Sequence, residues 1–243
     1  MGLNLSAYQK MMKPAVTHFW QARQSATEQQ LGRGVADQGN RAGVTAGKNL
    51  DLFCAMIRQT IIDNGVPEEC IYTTGRTNLT IPGFFRPTKN WDLLVVMDGK
   101  LLAAIELKSQ VGPSFGNNFN NRTEEALGNA TDILTAYREG AFGEQSRPFL
   151  GFFFVLEDCV EATRPVRTYS KHFPNLPEFD GTGYAERYGL LCQKLVRENL
   201  YDSAALVLTP NSAMTSGEYR HLSEACGPEE FVKALAGKIL SFT

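Results

Sequence analysis

The sequence predicts an α/β (α+β) fold with one central sheet flanked by helices. Three observations carry this. At 243 residues and 43% hydrophobic content, the chain can bury one sizeable core. Two adjoining runs, "NWDLLVV" and "KLLAAIELKSQ", are apolar on both strand faces, which places them mid-sheet under helices. Helical and strand patterns then alternate along the whole chain.

The elements follow in order. Residues 3–30 read as a helix, with Pro14 marking a start or a break. Residues 30–49, "QLGRGVADQGNRAGVTAGKN", are glycine-rich and polar and read as a long loop. In "NLDLFCAMIRQTIIDNG", Leu52, Met56, Ile57 and Ile61 recur at helical spacing, with Asn49 as N-cap and Gly65 as stop. An extended stretch covers roughly 70–81, and strands cover 91–97 and 100–108 around the turn signal Asp98-Gly99. A helix is expected from about 123 to 139, after a turn-like run with four asparagines in five positions. The strand "FLGFFFVLE" (149–157) leads to a Pro-rich loop (163–180), a helix near 183–200, the strand "AALVLT" (204–209) and a last helix at 228–241.

Composition excludes several function classes. No run approaches 18 apolar residues, so no membrane span is expected, and the N-terminus lacks the basic head and apolar stretch of a secretory signal. Five scattered cysteines without a Cys-x-x-Cys pair read as the reduced thiols of a cytoplasmic protein. Three distant histidines argue against a histidine-rich metal site. A net charge of -2 argues against a non-specific nucleic-acid binder, although the first fifty residues are locally basic.

The chemistry concentrates around the hairpin. Asp92 opens its first strand, and Glu106 and Lys108 share one face near the end of its second. A two-residue turn at Asp98-Gly99 would set Asp92 and Glu106 on opposite faces. A three-residue turn, Met97-Asp98-Gly99, would bring them together with Lys108. Convergence therefore requires an odd-length or bulged turn at 97–100. Two acids and a lysine gathered there are costly to desolvate, and a divalent cation is their natural partner. Carboxylate and carbonyl oxygens suit Mg²⁺, which keeps several waters. The lysine can orient a water and stabilise charge on a phosphate under attack. The bland alternative is a strand-end acid and a lysine on a sheet rim.

The Asp-x13-Glu-x-Lys pattern resembles the core of the restriction-endonuclease-like nucleases, with Trp91 where that superfamily often has proline. More specifically, "DQGNRAGVTAGKN", "GFFRPTKNWDLLV", "ELKSQVGPSFGNNFNNRTEEA" and "TAYREGAFG" resemble the XhoI family of type II restriction endonucleases, over most of the chain. The resemblance implies a restriction-endonuclease-like fold, with a central mixed sheet and a catalytic β-hairpin. It also implies a homodimeric, Mg²⁺-dependent enzyme in a bacterial or archaeal cytoplasm, paired functionally with a DNA methyltransferase. Such an enzyme cuts double-stranded DNA at CTCGAG after the first C, leaving 5′ overhangs. Asp92 and Glu106 would ligate Mg²⁺, helped by the Leu107 carbonyl, and Lys108 would position the attacking water. Asp51 could supply an extra acid, although helix N-termini favour Asp in any case. The chain is accordingly read as a single endonuclease domain, 1–243. It comprises the N-terminal helix and glycine-rich DNA-facing loop (1–48), a catalytic core (49–157) and C-terminal αβα elements (158–243).

Base readout needs Asn, Gln, Arg or Lys. The segment after Lys108 supplies Ser109, Gln110, Asn117, Asn118, Asn120, Asn121 and Arg122 as candidate base or backbone contacts. Arg41, Lys48, Arg86 and Lys89 are candidate phosphate contacts. Asn-rich turns and helix caps are the competing explanation for the cluster. Two other functions stay in view: a structure-specific repair or recombination nuclease on the same core, and a DNA-binding module without cleavage. The intact Asp92, Glu106 and Lys108 count against the latter.

Overall fold

The computed structural model describes residues 2–32 and 48–242. The first helix, α1, spans Ser6–Gly32 and carries Pro14 without a break. A 3-10 turn at Lys48–Leu50 runs straight into α2, Asp51–Asp63. Leu50 occupies the cap position expected for Asn49, whose amide instead reaches Ser109 Oγ at 3.5 Å. Gly65 ends the helix as expected, at φ 105.

The extended stretch after α2 resolves into β1 (Ile71–Tyr72) and a separate two-stranded hairpin, β2 (Thr80–Pro82) with β3 (Thr88–Asn90). Then come β4 (Leu93–Met97) and β5 (Lys100–Gln110). Helix α3 spans Phe115–Arg138, so the asparagines lie within its first two turns and not in a loop ahead of a helix at 123. Strand β6 (Phe149–Glu157), the short α4 (Val160–Thr163) and α5 (Tyr184–Arg197) follow. Strand β7 (Ser203–Thr209), the short α6 (Ala213–Ser216) and α7 (Pro228–Leu240) complete the chain.

The main sheet has the order β1-β4-β5-β6-β7. Strands β1, β4 and β5 pair antiparallel, whereas β5, β6 and β7 run parallel. This puts the apolar strands β4 and β5 inside a mixed sheet, as their two-faced hydrophobicity requires. One face packs Leu93, Val95 and Ile105 against Phe19, Phe53, Met56 and Phe231 from α1, α2 and α7. The other packs Leu94, Ala104 and Phe154 against Ala126, Ala130, Tyr188 and Cys192 from α3 and α5. The result is a helix–sheet–helix sandwich consistent with a restriction-endonuclease-like fold.

The hairpin reaches a converging face by a route other than the three-residue turn. Met97 pairs with Lys100, and Asp98 and Gly99 both take positive φ (51 and 73), the two-residue geometry that Asp-Gly favours. The register then shifts. Val96 opposes Leu101 but Val95 opposes Ala103, which leaves Leu102 as an extra residue on β5. Leu102 and Ala103 accordingly face the same core. Beyond the bulge Leu93 opposes Ile105, so Asp92 falls opposite Glu106.

Candidate active site

Asp92, Glu106 and Lys108 meet on the α3 side of the sheet. Lys108 Nζ pairs tightly with Glu106 Oε1 and lies 3.9 Å from Asp92 Oδ2. Asp92 Oδ2 also accepts the Leu107 N–H at 2.8 Å, which fixes the carboxylate across the strand pair. Glu106 is buried, with its side chain 3% exposed, so its charge needs strong compensation. It receives two cations. Lys89 takes Oε2 at 2.6 Å and is itself held by the Asn90 carbonyl at 2.9 Å and the Trp91 ring at 4.4 Å.

The titration behaviour follows from this packing. Burial works against ionisation of Glu106, but Lys108 and Lys89 overcome it and hold the carboxyl below the usual range. Burial likewise opposes the charge of Lys108, and Glu106 and Asp92 more than restore it, so the ammonium is held above its ordinary value. Asp92 differs. Burial, then the charge of Glu106, push its carboxyl up, and Lys108, the Leu107 N–H and Lys89 do not fully offset them. The site therefore contains one well-compensated carboxylate and one that still lacks positive charge.

That donor set fits a hard divalent cation. Among the described residues no group of three His, Cys, Asp or Glu side chains gathers around a common point. A cation here would meet two carboxylates and complete its shell with water and substrate oxygens, the arrangement Mg²⁺ tolerates best. Asp51, the first residue of α2, lines the same cleft as Asp92, Lys108 and Arg122, with a volume of about 360 Å³. Burial and the charges of Asp92 and Asp51 push the Cys54 thiol up to about 12, so both acids lie near one side chain. Asp51 nevertheless does not close a three-acid cluster with Asp92 and Glu106.

The expected DNA contacts separate. Arg122 lines the cleft, is paired to Glu125, and has a buried Nε with no hydrogen-bond partner among the described residues. Helical spacing puts Asn118, Arg122, Glu125 and Asn129 on one stripe of α3. Glu125 and Asn129 border a recess shared with Glu106 and Lys108, which fixes the direction that stripe faces. Asn121 flanks it, and Asn117 and Asn120 lie further round the helix; all three are exposed. Ser109 lines the cleft.

Gln110 does not fit the role of a DNA contact. It is 3% exposed, its Oε1 takes the Tyr188 hydroxyl, and its Nε2 donates to the Phe115 carbonyl at 3.2 Å. Arg86, its side chain 46% exposed, is held by two partners, 2.9 Å from Asp132 Oδ2 and 3.0 Å from Asn129 Oδ1. Lys89, expected on phosphate, belongs to the carboxylate cluster; only 10% of its side chain is exposed. No local spacing marks that contact, because Lys89 and Glu106 lie 17 positions apart on different sheets. Arg41 and the side chain of Lys48 lie outside the described residues.

The model of the restriction endonuclease XhoI family matches residues 29–221. The chain is 47% identical over 210 residues to the type II restriction enzyme XhoI of Xanthomonas vasicola, covering 86% of this chain and 84% of that one. It is 46% identical over 189 residues to the type II restriction enzyme BstVI of Geobacillus stearothermophilus, covering 76% and 84%. It is 50% identical over 173 residues to the type II restriction enzyme AbrI of Azospirillum brasilense, covering 71% and 77%. No solved structure matches the chain. The matched span contains Asp92, Glu106 and Lys108, and the chain belongs to the XhoI family of restriction endonucleases.

Proposed function

We propose that this chain is a Mg²⁺-dependent type II endonuclease that hydrolyses both strands of double-stranded DNA at CTCGAG, after the first C, and leaves 5′ overhangs. The observation that carries the chemistry is the convergence of Asp92, Glu106 and Lys108 beside an open cleft. The sequence it reads is carried by family kinship.

Asp92 and Glu106 would hold the cation, with the Leu107 carbonyl as a further oxygen. When bound, Mg²⁺ supplies Lewis-acid stabilisation for the phosphate and makes an attacking water more acidic. Lys89 pairs with Glu106 Oε2 and Lys108 with Oε1, which leaves Oε1 on the side of Lys108 and Asp92, where the reaction would take place. Lys108 orients the attacking water and stabilises the phosphate as charge builds on it. The water oxygen bonds to phosphorus in line with the leaving O3′. The P–O3′ bond breaks, and a 3′-hydroxyl and a 5′-phosphate result. Arg122, which lines the cleft, is placed to bind a phosphate oxygen, and Asn118 and its neighbours on α3 lie toward the bases. Asp51 stays available as an outer acid.

The enzyme acts as a homodimer in the cytoplasm, opposite a cognate methyltransferase that protects host sites. Among the described residues no helix is long and apolar enough to cross a membrane. Digestion of a DNA of known sequence with Mg²⁺, followed by end mapping, tests the reading. Ends confined to CTCGAG with a 5′ extension support it. Cuts scattered over the duplex, or placed only at junctions and flaps, would support the repair-nuclease reading instead.

A further inference from the structure

Residues 164–176, "RPVRTYSKHFPNL", carry three cations and no carboxylate in a chain whose net charge is -2. The segment is open to solvent, and Tyr169 (79%), Phe173 (78%) and Leu176 (65%) are among the most exposed large apolar side chains. Neither Arg167 nor Lys171 forms an ion pair with another described residue. Large rings and unpaired cations on one exposed stretch call for a partner more than a solvated loop does.

The fold says where this stretch lies. Strands β5 and β6 are parallel and leave the sheet together, with Gln110 opposite Leu156 and the Gly112 N–H bonded to Glu157 Oε2 at 2.8 Å. Lys108 is two residues short of that end of β5. From β6 the chain passes through α4 into the segment and returns at α5. There the Tyr184 ring lies 6.0 Å from Phe115 and 6.2 Å from Phe119 on the asparagine-bearing turns of α3. The neck of the loop is closed. Val166 N–H donates to the Thr182 carbonyl at 2.9 Å, and the buried Arg187 braces both limbs through the Val166 carbonyl (2.7 Å) and Thr182 Oγ1 (3.1 Å). The basic, aromatic stretch therefore springs from a pinned neck beside α3, at the sheet end nearest the catalytic lysine.

We propose that residues 167–176 form a second DNA-holding arm. Arg167 and Lys171 contact phosphates beside the cut, and Tyr169 and Phe173 lie against the sugar edge. The charge matches a duplex, and the location continues the surface that α3 offers to it. The inference rests on the endonuclease reading and adds an element to it.

The test is a binding titration of the full chain on a CTCGAG duplex and on a scrambled duplex in Ca²⁺, at several salt concentrations. The parent is compared with an Arg167→Ala/Lys171→Ala variant. A Lys194→Ala/Lys233→Ala variant removes the same charge elsewhere. The arm variant should give a salt slope shallower by about 1 to 2 on both duplexes, with the control like the parent. A parent-like slope in the arm variant overturns the arm alone, provided the parent discriminates between the duplexes. A parent that binds neither duplex overturns the endonuclease reading together with the arm. Loss of self-association in sedimentation, without a change in slope, would give the loop to a second copy of the chain and equally overturn the proposal.

Discussion

Glu106 keeps its charge at 3% exposure because each of its oxygens meets a lysine, whereas at Asp92 burial and the neighbouring carboxylate outweigh Lys108 and the Leu107 N–H. The sign of the consequence is fixed. A carboxyl whose folded value is raised favours the fold only below its unfolded value, and that benefit is lost as pH rises through the folded value. Above that raised folded value the metal-free protein carries an ionised Asp92 at some cost. With 42% of the Asp92 side chain exposed, solvent screens the effect and keeps it small. Asp92→Asn should raise the metal-free melting temperature at pH 7.5 by about 2 °C, with less gain near pH 4. A variant that melts below the parent at pH 7.5 would show Asp92 to be already compensated. At this scale the pairing of Glu106 with Lys108 was legible, because Glu-x-Lys shares a strand face whatever the register, whereas Asp92 joins them only through an irregularity in the hairpin. Lys89 was not, because its partnership depends on how two separate sheets pack.

At the scale of elements, the bulge at Leu102 decides whether the site exists, and nothing in the sequence marks it. Both faces of β5 are buried from Leu101 to Leu107, so the apolar run "LLAAI" that contains the bulge satisfies either register equally well, and only the placement of Glu106 beyond it distinguishes them. The requirement for an irregularity was readable from chemistry; its position was not. Helix α3 shows the opposite failure. Asparagine's poor helix propensity argues for a loop, but Phe115 and Phe119, one helical turn apart, pack on Tyr184, and packing outweighs propensity. The helical register predicts unequal asparagines. Asn118→Ala and Arg122→Ala should each lose about 1–3 kcal/mol of specific binding in Ca²⁺ titrations, and Asn120→Ala little. Equal losses at all three would remove the stripe from the account.

The β2–β3 hairpin offers a second test. Asp132, 2% exposed, accepts the N–H groups of Phe84, Phe85 and Arg86 and the Arg86 Nε. Gly83 allows this approach, because a Cβ there would lie 2.4 Å from Asp132 Oδ2. Asp132→Ala removes the shared acceptor of three part-buried N–H groups and leaves the half-exposed Arg86 with water and Asn129. It should cost about 1–3 kcal/mol in urea unfolding. It should also impair cleavage, since the hairpin leads directly into Lys89 and Asp92. Parent-like stability would mean the hairpin is held elsewhere.

At the scale of the molecule, the sandwich of helices about a mixed sheet was legible from two-faced strands and helical periods, because burial on both faces is a compositional demand. The quaternary state has no such signature in one chain. A palindrome presents two equivalent half-sites, and a two-fold dimer matches them with one active site per strand. Sedimentation should show a dimer on a CTCGAG duplex; a monomer both free and bound would refute the symmetric arrangement.

The central claim is that Asp92, Glu106 and Lys108 together cut the phosphodiester bond. Single-turnover cleavage of a duplex with one CTCGAG site, in Mg²⁺, tests it most directly for Asp92→Ala, Glu106→Ala and Lys108→Ala, each first shown to be folded and to bind the same duplex in Ca²⁺. Each variant should cut at least about a hundred- to a thousandfold more slowly than the parent. A folded variant that binds the site and cuts it within about tenfold of the parent rate would contradict the assignment of that residue to the chemistry.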